Sequence, residues 1–260
     1  MRRTVAETNL RALRQQIIRM AANSGEGHIP SALSILDLVY VLHRQVMDLD
    51  NDRFILSKGH GCLALYVALA DIGLMPSSWL DDFCDGDHAD LLGHPERRPE
   101  VGIHATTGSL GHGIGMAVGM AYAQKLSGSP GRVFCLVGDG ECEEGSVWEA
   151  AHLAARHKLS NLVLLVDANG TSPNQIDGIR HHASLCEKFR AFGWHISRIN
   201  GHDHVSIRRS VQPLGGEQPY AVIADTVKGF GVEITEREPQ VWHHRSPNFT
   251  ELHTMLECVR

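Results

Sequence analysis

Residues 132–169 read "RVFCLVGDGECEEGSVWEAAHLAARHKLSNLVLLVDAN" and decide the fold. An apolar strand over 132–138 leads through a glycine–acid–glycine turn into a helix over roughly 144–158, and a second apolar strand follows over 161–169. Unbroken apolar strands that alternate with helices are typical of a parallel sheet covered on both faces. The stretch therefore predicts an α/β fold.

The same alternation continues toward the C-terminus. It predicts a helix over 183–193, a strand over 194–199, a helix near 204–212, a strand over 220–227, and a loop with a short final helix. With no repeat, low-complexity segment or linker-like stretch in the chain, we expect one domain over residues 1–260.

The first hundred residues have the pattern of helices and loops. Helical patterns cover 4–22, a region near 34–48, an apolar segment within 57–73 and a small-residue helix that ends the stretch 93–126. Thr4 and Glu7 have capping-box spacing. Ser31 and Ser34 are candidate N-caps of the second helix.

The composition is that of a soluble, enzyme-sized globule, with 43% hydrophobic and 21% charged residues. The net charge of −6 argues against nucleic acid as the main partner. The Arg-rich start lacks the apolar core of a signal peptide, and no apolar run approaches the ~20 residues of a membrane span. Six cysteines without a CxxC pair are typical of reduced thiols, so we expect a cytoplasmic protein.

Seventeen histidines are a high number for this length. Adjacent or near-adjacent histidines occur at 181–182, 202–204 and 243–244, yet none has the i, i+4 pairing or cysteine partner of a zinc site. Most of them are therefore interpreted as solvated surface residues.

Oxygen-bearing side chains follow both strands of the opening stretch. Asp139 lies at the end of the first strand and Asn169 at the end of the second. Adjacent parallel strands bring such ends together, where ligands of α/β sheets bind. A carboxylate and an amide oxygen suit Mg²⁺ that completes its coordination with phosphate oxygens and water, and a helix N-terminus after Gly140 would favour an anion. Alternatively, "GDG" is only a turn and "DAN" only a strand exit.

The motifs around this pair resemble those of transketolases. "GHIPSALS", "FILSKGHGCLALY", "LLGHPE", "TTGSLGHGI", "GDGECEEGSVWEAAHLAARHKLSNL", "TVKGFGV" and "WHHRSPN" follow one another in the family's order over roughly residues 10–250. The chain is most similar to short N-terminal transketolase subunits. The resemblance implies the thiamine diphosphate-binding fold known as the PP type, a parallel sheet with helices on both faces.

The resemblance also assigns roles to individual residues. Asp139, the Asn169 amide and the Thr171 carbonyl would bind Mg²⁺, for which Ca²⁺ or Mn²⁺ could substitute. The residues implied at the thiamine diphosphate are His60, Gly108, Leu110, Gly138, Asp139, Gly140, Glu141, Glu144, Glu149 and Asn169, of which Glu144 and Glu149 match acids between active sites.

Four histidines match family residues around the reacting carbon, the sugar hydroxyls or the diphosphate, namely His28, His60, His94 and His243. Thiamine diphosphate supplies a carbanion at its thiazolium C2, and the protein orients it and places protons. Moving protons among hydroxyls near neutral pH is work that suits histidine. The implied reaction transfers a two-carbon ketol unit from a ketose or ketose phosphate to an aldehyde-type acceptor.

Three departures from the family pattern affect the expected substrate more than the cofactor. Ala168 replaces an Asn or Asp before the metal-binding Asn169, and His112 stands where glutamine is usual. "WHHR" replaces "WHGK", which leaves His244 as a competing candidate for His243.

The pyrimidine-binding domain of transketolases is not found in the chain. We therefore expect it on a separate C-terminal subunit, in an α2β2 heterotetramer. Two alternatives remain. One is another thiamine enzyme, either similar to deoxyxylulose-phosphate synthase or an oxo-acid dehydrogenase subunit, and the other is a non-catalytic regulatory subunit.

Overall fold

A computed structural model describes residues 10–86, 89–171, 182–213 and 215–260, without the side chains of residues 182 and 183. Its parallel sheet has five strands in the order β1-β2-β3-β5-β4. The strands are β1 (Arg53–Leu56), β2 (Val133–Gly138), β3 (Leu162–Ala168), β4 (His195–Asn200) and β5 (Tyr220–Asp225).

Helices cover both faces of this sheet. They are α1 (Leu10–Ser24), α2 (Ile29–Val41), α3 (Cys62–Asp71), α4 (Gly113–Ser127), α5 (Gly145–Arg156), α6 (His182–Ala191), α7 (His204–Ser210), α8 (Glu233–Arg237) and α9 (Phe249–Glu257). A π-helical turn, Leu42–Val46, extends α2.

Alternating side chains of the strands divide the core into two layers. In β2, Phe134 and Leu136 pack with α1, α2 and α3, whereas Val133, Cys135 and Val137 pack with α4 and α5. Successive residues of a strand point to opposite faces, so one apolar strand supplies both layers. The predicted α/β fold with both faces covered is confirmed.

The register of β2 and β3 sets the site. Gly138 lies opposite Asp167, so Asp139 and the residues after β3 leave the sheet at the same edge. This confirms the predicted adjacency of the two strand ends.

Three local predictions differ from the structure. The strand β1 lies in a region predicted as helices and loops, because its four residues are too few to show a period. Ser31 and Ser34 lie inside α2, which begins after His28 with Pro30 in its first turn, so neither serine caps it. The strand β4 is a partly exposed edge strand, not a fully apolar one. Thr4 and Glu7 lie outside the described residues.

A buried carboxylate joins the helical layer to the segment after β5. Asp37 of α2 accepts hydrogen bonds from Arg14 (3.1 Å), His202 Nδ1 (3.1 Å) and His204 Nε2 (2.8 Å). His202 Nε2 in turn accepts the Val227 N–H at 2.9 Å. Burial alone would raise the pKa of Asp37, but the two histidine hydrogen bonds and the charge of Arg14 outweigh burial and lower it to about 2.

The variant Asp37→Asn should lower the free energy of unfolding at pH 7 by about 2 kcal/mol, because each unit of pKa difference is worth about 1.4 kcal/mol. The pKa is depressed on folding, so this stabilisation exists above pH 3.8 and is lost as the pH falls toward 2. Urea unfolding of both proteins as a function of pH measures the difference.

Glu217→Gln is the matched control, because Glu217 pairs with Lys158 on the exposed surface. It should leave the free energy of unfolding nearly unchanged. Equal effects of the two substitutions would contradict the assigned role of Asp37.

Candidate active site

A cavity of about 350 Å³ opens at the carboxyl ends of β2 and β3. Its lining combines glycines, acids, two lysines and four histidines. The lining residues are His28, Ser31, Lys58, His60, His94, Gly108, Leu110, Gly138, Asp139, Gly140, Glu141, Glu143, Glu144, Asn169, Thr171, Lys228 and His243.

The loop that carries Gly108 and Leu110 is held by a buried acid. Glu141 accepts hydrogen bonds from Gly111 N (2.8 Å), Gly138 N (3.2 Å) and the Ser57 hydroxyl. Burial raises the pKa of Glu141, although these donors oppose the rise. Because one carboxylate binds both this loop and the end of β2, it holds these two walls of the cavity in a fixed position relative to each other.

Glycine is required where this loop packs closely. A Cβ on Gly111, whose φ is +82°, would lie 2.5 Å from the Ser146 Oγ, and one on Gly113 would lie 2.3 Å from the Ser57 Oγ. Both distances are shorter than any real contact, so larger residues would push the loop off the sheet.

Oxygen atoms of Asp139, Asn169 and Thr171 gather at the floor of the cavity. The Asp139 carboxylate accepts the N–H of Gly140 (2.8 Å) and of Gly170 (2.7 Å). The Asn169 Oδ1 accepts the hydroxyl of Thr171 at 2.5 Å, and the Thr171 carbonyl lies 3.5 Å from the Lys228 Nζ. The structure thus brings together the three residues expected to bind metal.

A buried ion pair lies beneath these oxygens. Lys58 and Asp167 are 2% and 0% exposed, and the Lys58 Nζ donates to the Asp167 carboxylate. Asp167 also accepts the Asn169 Nδ2 at 2.9 Å and the Ser34 hydroxyl at 2.6 Å. The pair therefore orients the Asn169 amide and directs its Oδ1 away from Asp167.

The expected histidines form one cluster around His28. Ring centroids lie 5.4 Å from His28 to His60, 6.4 Å to His94 and 5.2 Å to His243. His244, which does not line the cavity, packs still closer at 4.5 Å.

Burial keeps this cluster uncharged. It lowers the pKa of His28 to about 3, and the neighbouring His244 and His243 rings further disfavour a positive charge on His28. Burial also lowers the pKa of His60 to about 2, helped by the charge of Lys58. The pKa values of His94 and His243 are lowered mainly by burial as well. Each neutral imidazole offers one N–H donor and one acceptor nitrogen toward a ligand.

Most of the site residues expected from the sequence line the cavity, but Glu149 does not. It lies on the exposed side of α5, whereas Glu144 lines the cavity. The helix expected over roughly 144–158 is α5, which begins at Gly145, and a short 3-10 turn, Gly140–Glu143, separates its N-terminus from the end of β2.

Four lining residues were not expected from the sequence, namely Ser31, Lys58, Glu143 and Lys228. Lys58 and Lys228 stand in the glycine-containing motifs "SKGHG" and "TVKGFGV". Their position in these motifs is the sequence feature that could have identified them as site residues. Burial and the neighbouring Lys58 lower the pKa of Lys228 to about 8.

The histidine pairs at other positions give no metal site among the described residues, where no three His, Cys, Asp or Glu side chains could hold an ion together. His202 and His204 bind Asp37 instead. The pair at 181–182 lies outside the side chains that the structure describes. All six cysteines are among the described residues, and all are free thiols.

A family model described as "Transketolase, thiamine diphosphate binding domain" matches residues 2–247. The chain belongs to the transketolase family. This finding confirms the resemblance drawn from the motifs, and it shows that the cavity lies in the thiamine diphosphate-binding domain of a transketolase-type protein.

Two relatives are named as single subunits of transketolases. The one from Actinobacillus succinogenes, a subunit of apulose-4-phosphate transketolase, is 38% identical over 98% of this chain and 95% of its own length. The one from Clostridium sp., a subunit of 6-deoxy-6-sulfo-D-fructose transketolase, is 37% identical over 86% of this chain and 85% of its own length.

The solved transketolase from Leishmania mexicana has the same fold, with a TM-score of 0.80 and 25% identity over 96% of this chain. The chain spans 41% of the length of that transketolase. Within the part of the chain that the structure describes, every helix is too short or too polar to cross a bilayer.

Lys58→Met should destabilise the protein by about 3–5 kcal/mol, because the Asp167 charge would remain buried without its cation. The double variant Lys58→Met/Asp167→Leu should recover most of the loss, because no buried charge remains. Urea unfolding of the two variants measures this. A double variant that is no more stable than Lys58→Met would show that the ion pair is not the cause.

Proposed function

We propose that this chain is the cofactor-binding subunit of a two-component transketolase, and that it transfers a two-carbon ketol unit from a ketose to an aldehyde acceptor. The observation that carries the proposal is that one cavity is lined both by the histidine cluster and by the expected metal-binding residues. These residues are His28, His60, His94 and His243 together with Asp139, Asn169 and Thr171. The two relatives named as transketolase subunits, which this chain matches over most of their length, support it.

The donor atoms at the cavity floor fit a hard divalent ion. One carboxylate, one amide oxygen and one backbone carbonyl are ligands that Mg²⁺ accepts while it keeps phosphate and water oxygens. The Lys228 ammonium already lies against the Thr171 carbonyl, so a cation can approach this oxygen from the cavity. We propose that Asp139, Asn169 and Thr171 hold Mg²⁺, and that Ca²⁺ or Mn²⁺ can replace it.

Thiamine diphosphate supplies a stabilised carbanion when it is bound. The chain's own contribution is to hold the diphosphate beside Gly138, Gly140 and Lys228 and to place the histidines over the reacting carbons. Neutral imidazoles can accept a proton from a ketose hydroxyl and return it, and the negative charge of a bound diphosphate would raise their pKa values toward neutrality.

A partner protein belongs to the proposal. The two relatives named as subunits support the existence of a second subunit. We propose that this partner is a C-terminal subunit that carries the pyrimidine-binding domain, and that the complex assembles as α2β2. We propose a cytoplasmic complex that acts on sugars or sugar phosphates, and the net charge of −6 favours small molecules over nucleic acid or membranes as partners.

The test of the function is reconstitution. The chain, mixed with a pyrimidine-domain subunit, thiamine diphosphate and Mg²⁺, should convert a ketose and an aldehyde into a longer ketose detected by mass, and the purified chain alone should not. Release of CO₂ from pyruvate, with every ketose left intact, would favour the oxo-acid dehydrogenase alternative. Binding of the cofactor without any turnover would favour a regulatory role.

Asp139→Ala should abolish thiamine diphosphate binding at micromolar cofactor, because a charged metal ligand next to a diphosphate is lost. Calorimetric titration of the reconstituted complex with and without Mg²⁺ measures this. Asp225→Ala, at an exposed ion pair with Arg198, is the control and should bind normally. Unchanged affinity in Asp139→Ala would refute the metal site.

His28→Ala and His94→Ala should each slow ketose cleavage by ~10²–10⁴, the usual effect of losing one proton carrier. Cofactor affinity should stay close to that of the wild type, because other residues hold the metal and the diphosphate. A single-turnover measurement of aldose release checks the rate, and calorimetry checks the affinity. A loss of affinity that accounts for the whole fall in rate would contradict the proton-carrying role.

A further inference from the structure

A fifth histidine accompanies the cluster without lining the cavity. The His244 ring lies 4.5 Å from the His28 ring at an angle of 31°, which makes it the nearest of the four rings described around His28. Its side chain is 58% exposed, so one side of the imidazole faces solvent. His244 therefore lies where the histidine cluster meets the surface.

A carboxylate at the surface pairs with this imidazole. The Nε2 of His244 lies 3.1 Å from the Glu26 Oε2, and the Glu26 N–H donates to the Ser24 Oγ at 3.1 Å. With its Nε2–H directed to Glu26, His244 keeps its Nδ1 for a hydrogen bond to another group.

The backbone that presents His244 is anchored on both sides. Trp242 is 2% exposed, and the Arg245 guanidinium lies 4.2 Å from the centre of its ring. Asn248 and Glu251 then form a capping box that starts α9. The imidazole is thus held over His28 by a fixed turn and not by a free surface segment.

We infer that His244 is a specificity-determining residue that contacts a hydroxyl of the ketose donor as the donor reaches His28; this inference rests on the proposed function. The Glu26 carboxylate decides which part of the donor is recognised. An anionic substituent here would meet a negative charge behind the imidazole, whereas a hydroxyl can form a hydrogen bond with Nδ1 as donor or as acceptor. His244 thus selects a neutral, hydroxylated carbon.

The kinetic test uses the reconstituted complex with D-fructose 6-phosphate as donor. His244→Ala should raise KM about tenfold with kcat unchanged, as expected when one hydrogen bond made equally in ground and transition states is lost. Glu26→Ala should raise KM as well, and Glu26→Gln should preserve it, because glutamine keeps an oxygen for the His244 Nε2–H.

A matched control exists on α9. His253 pairs with Glu257 at 3.2 Å with both side chains exposed, so it reproduces the exposed His–Glu pair away from the cavity. His253→Ala should leave KM and kcat unchanged. Unchanged KM in His244→Ala, or equal effects of His244→Ala and His253→Ala, would overturn the inference.

A second measurement separates this inference from the proposed function. In a long-range ¹H–¹⁵N spectrum of the labelled histidines, D-fructose 6-phosphate added to the complex should shift the His244 signals and leave those of His253 in place. If the wild-type complex transfers no ketol unit, the proposed function fails and this spectrum decides the inference alone. Absence of a His244 shift would overturn it.

Discussion

The buried pair of Lys58 and Asp167 is the contact on which the site depends. Lys58 follows β1, Asp167 lies near the end of β3, and both side chains are shielded from bulk water. Burial opposes ionisation of Asp167, yet the Lys58 charge and the hydroxyls of Ser34 and Thr226 lower its pKa. A charge pair so deeply buried is stable only if both members stay in place, so β1, α2, β3 and the segment after β5 are locked together at one edge.

Two further anchors extend this constraint to the cavity walls. Glu141 ties the loop with Gly111 to the end of β2, and Asp37 ties α2 to His202, which holds Val227 just before Lys228. Each anchor is a buried carboxylate that is satisfied by several donors. The cavity is therefore built on rigid strand ends, which is what holding a diphosphate and a metal in a fixed geometry requires.

The parts of this arrangement that depend on local pattern can be predicted from the sequence. The apolar strands β2 and β3, with the acid and amide that follow them, indicate the α/β fold and the edge where Asp139 and Asn169 meet, and the motifs indicate the histidines. The buried position of Lys58 could not be predicted, because its partner Asp167 lies 109 residues away in the sequence. A lysine beside glycine is typical of a solvated turn, and only the folded structure shows that it is buried. The strand β1 could not be predicted either, because it is defined by its pairing with β2 and has no sequence pattern of its own. Glu149 faces away from the cavity of this chain because helical phase decides which acid near α5 lines it, and its expected place between active sites stays a prediction.

Under the proposed function, this chain binds thiamine diphosphate in a state that becomes reactive only beside a second subunit. The exchange of the thiazolium C2 proton for deuterium, followed by NMR after rapid quenching, tests this most directly. We expect fast exchange when this chain, Mg²⁺ and its pyrimidine-domain partner are all present, and slow exchange, close to that of free cofactor, when either protein is omitted. Fast exchange with this chain alone, or slow exchange in the complete complex, would contradict it.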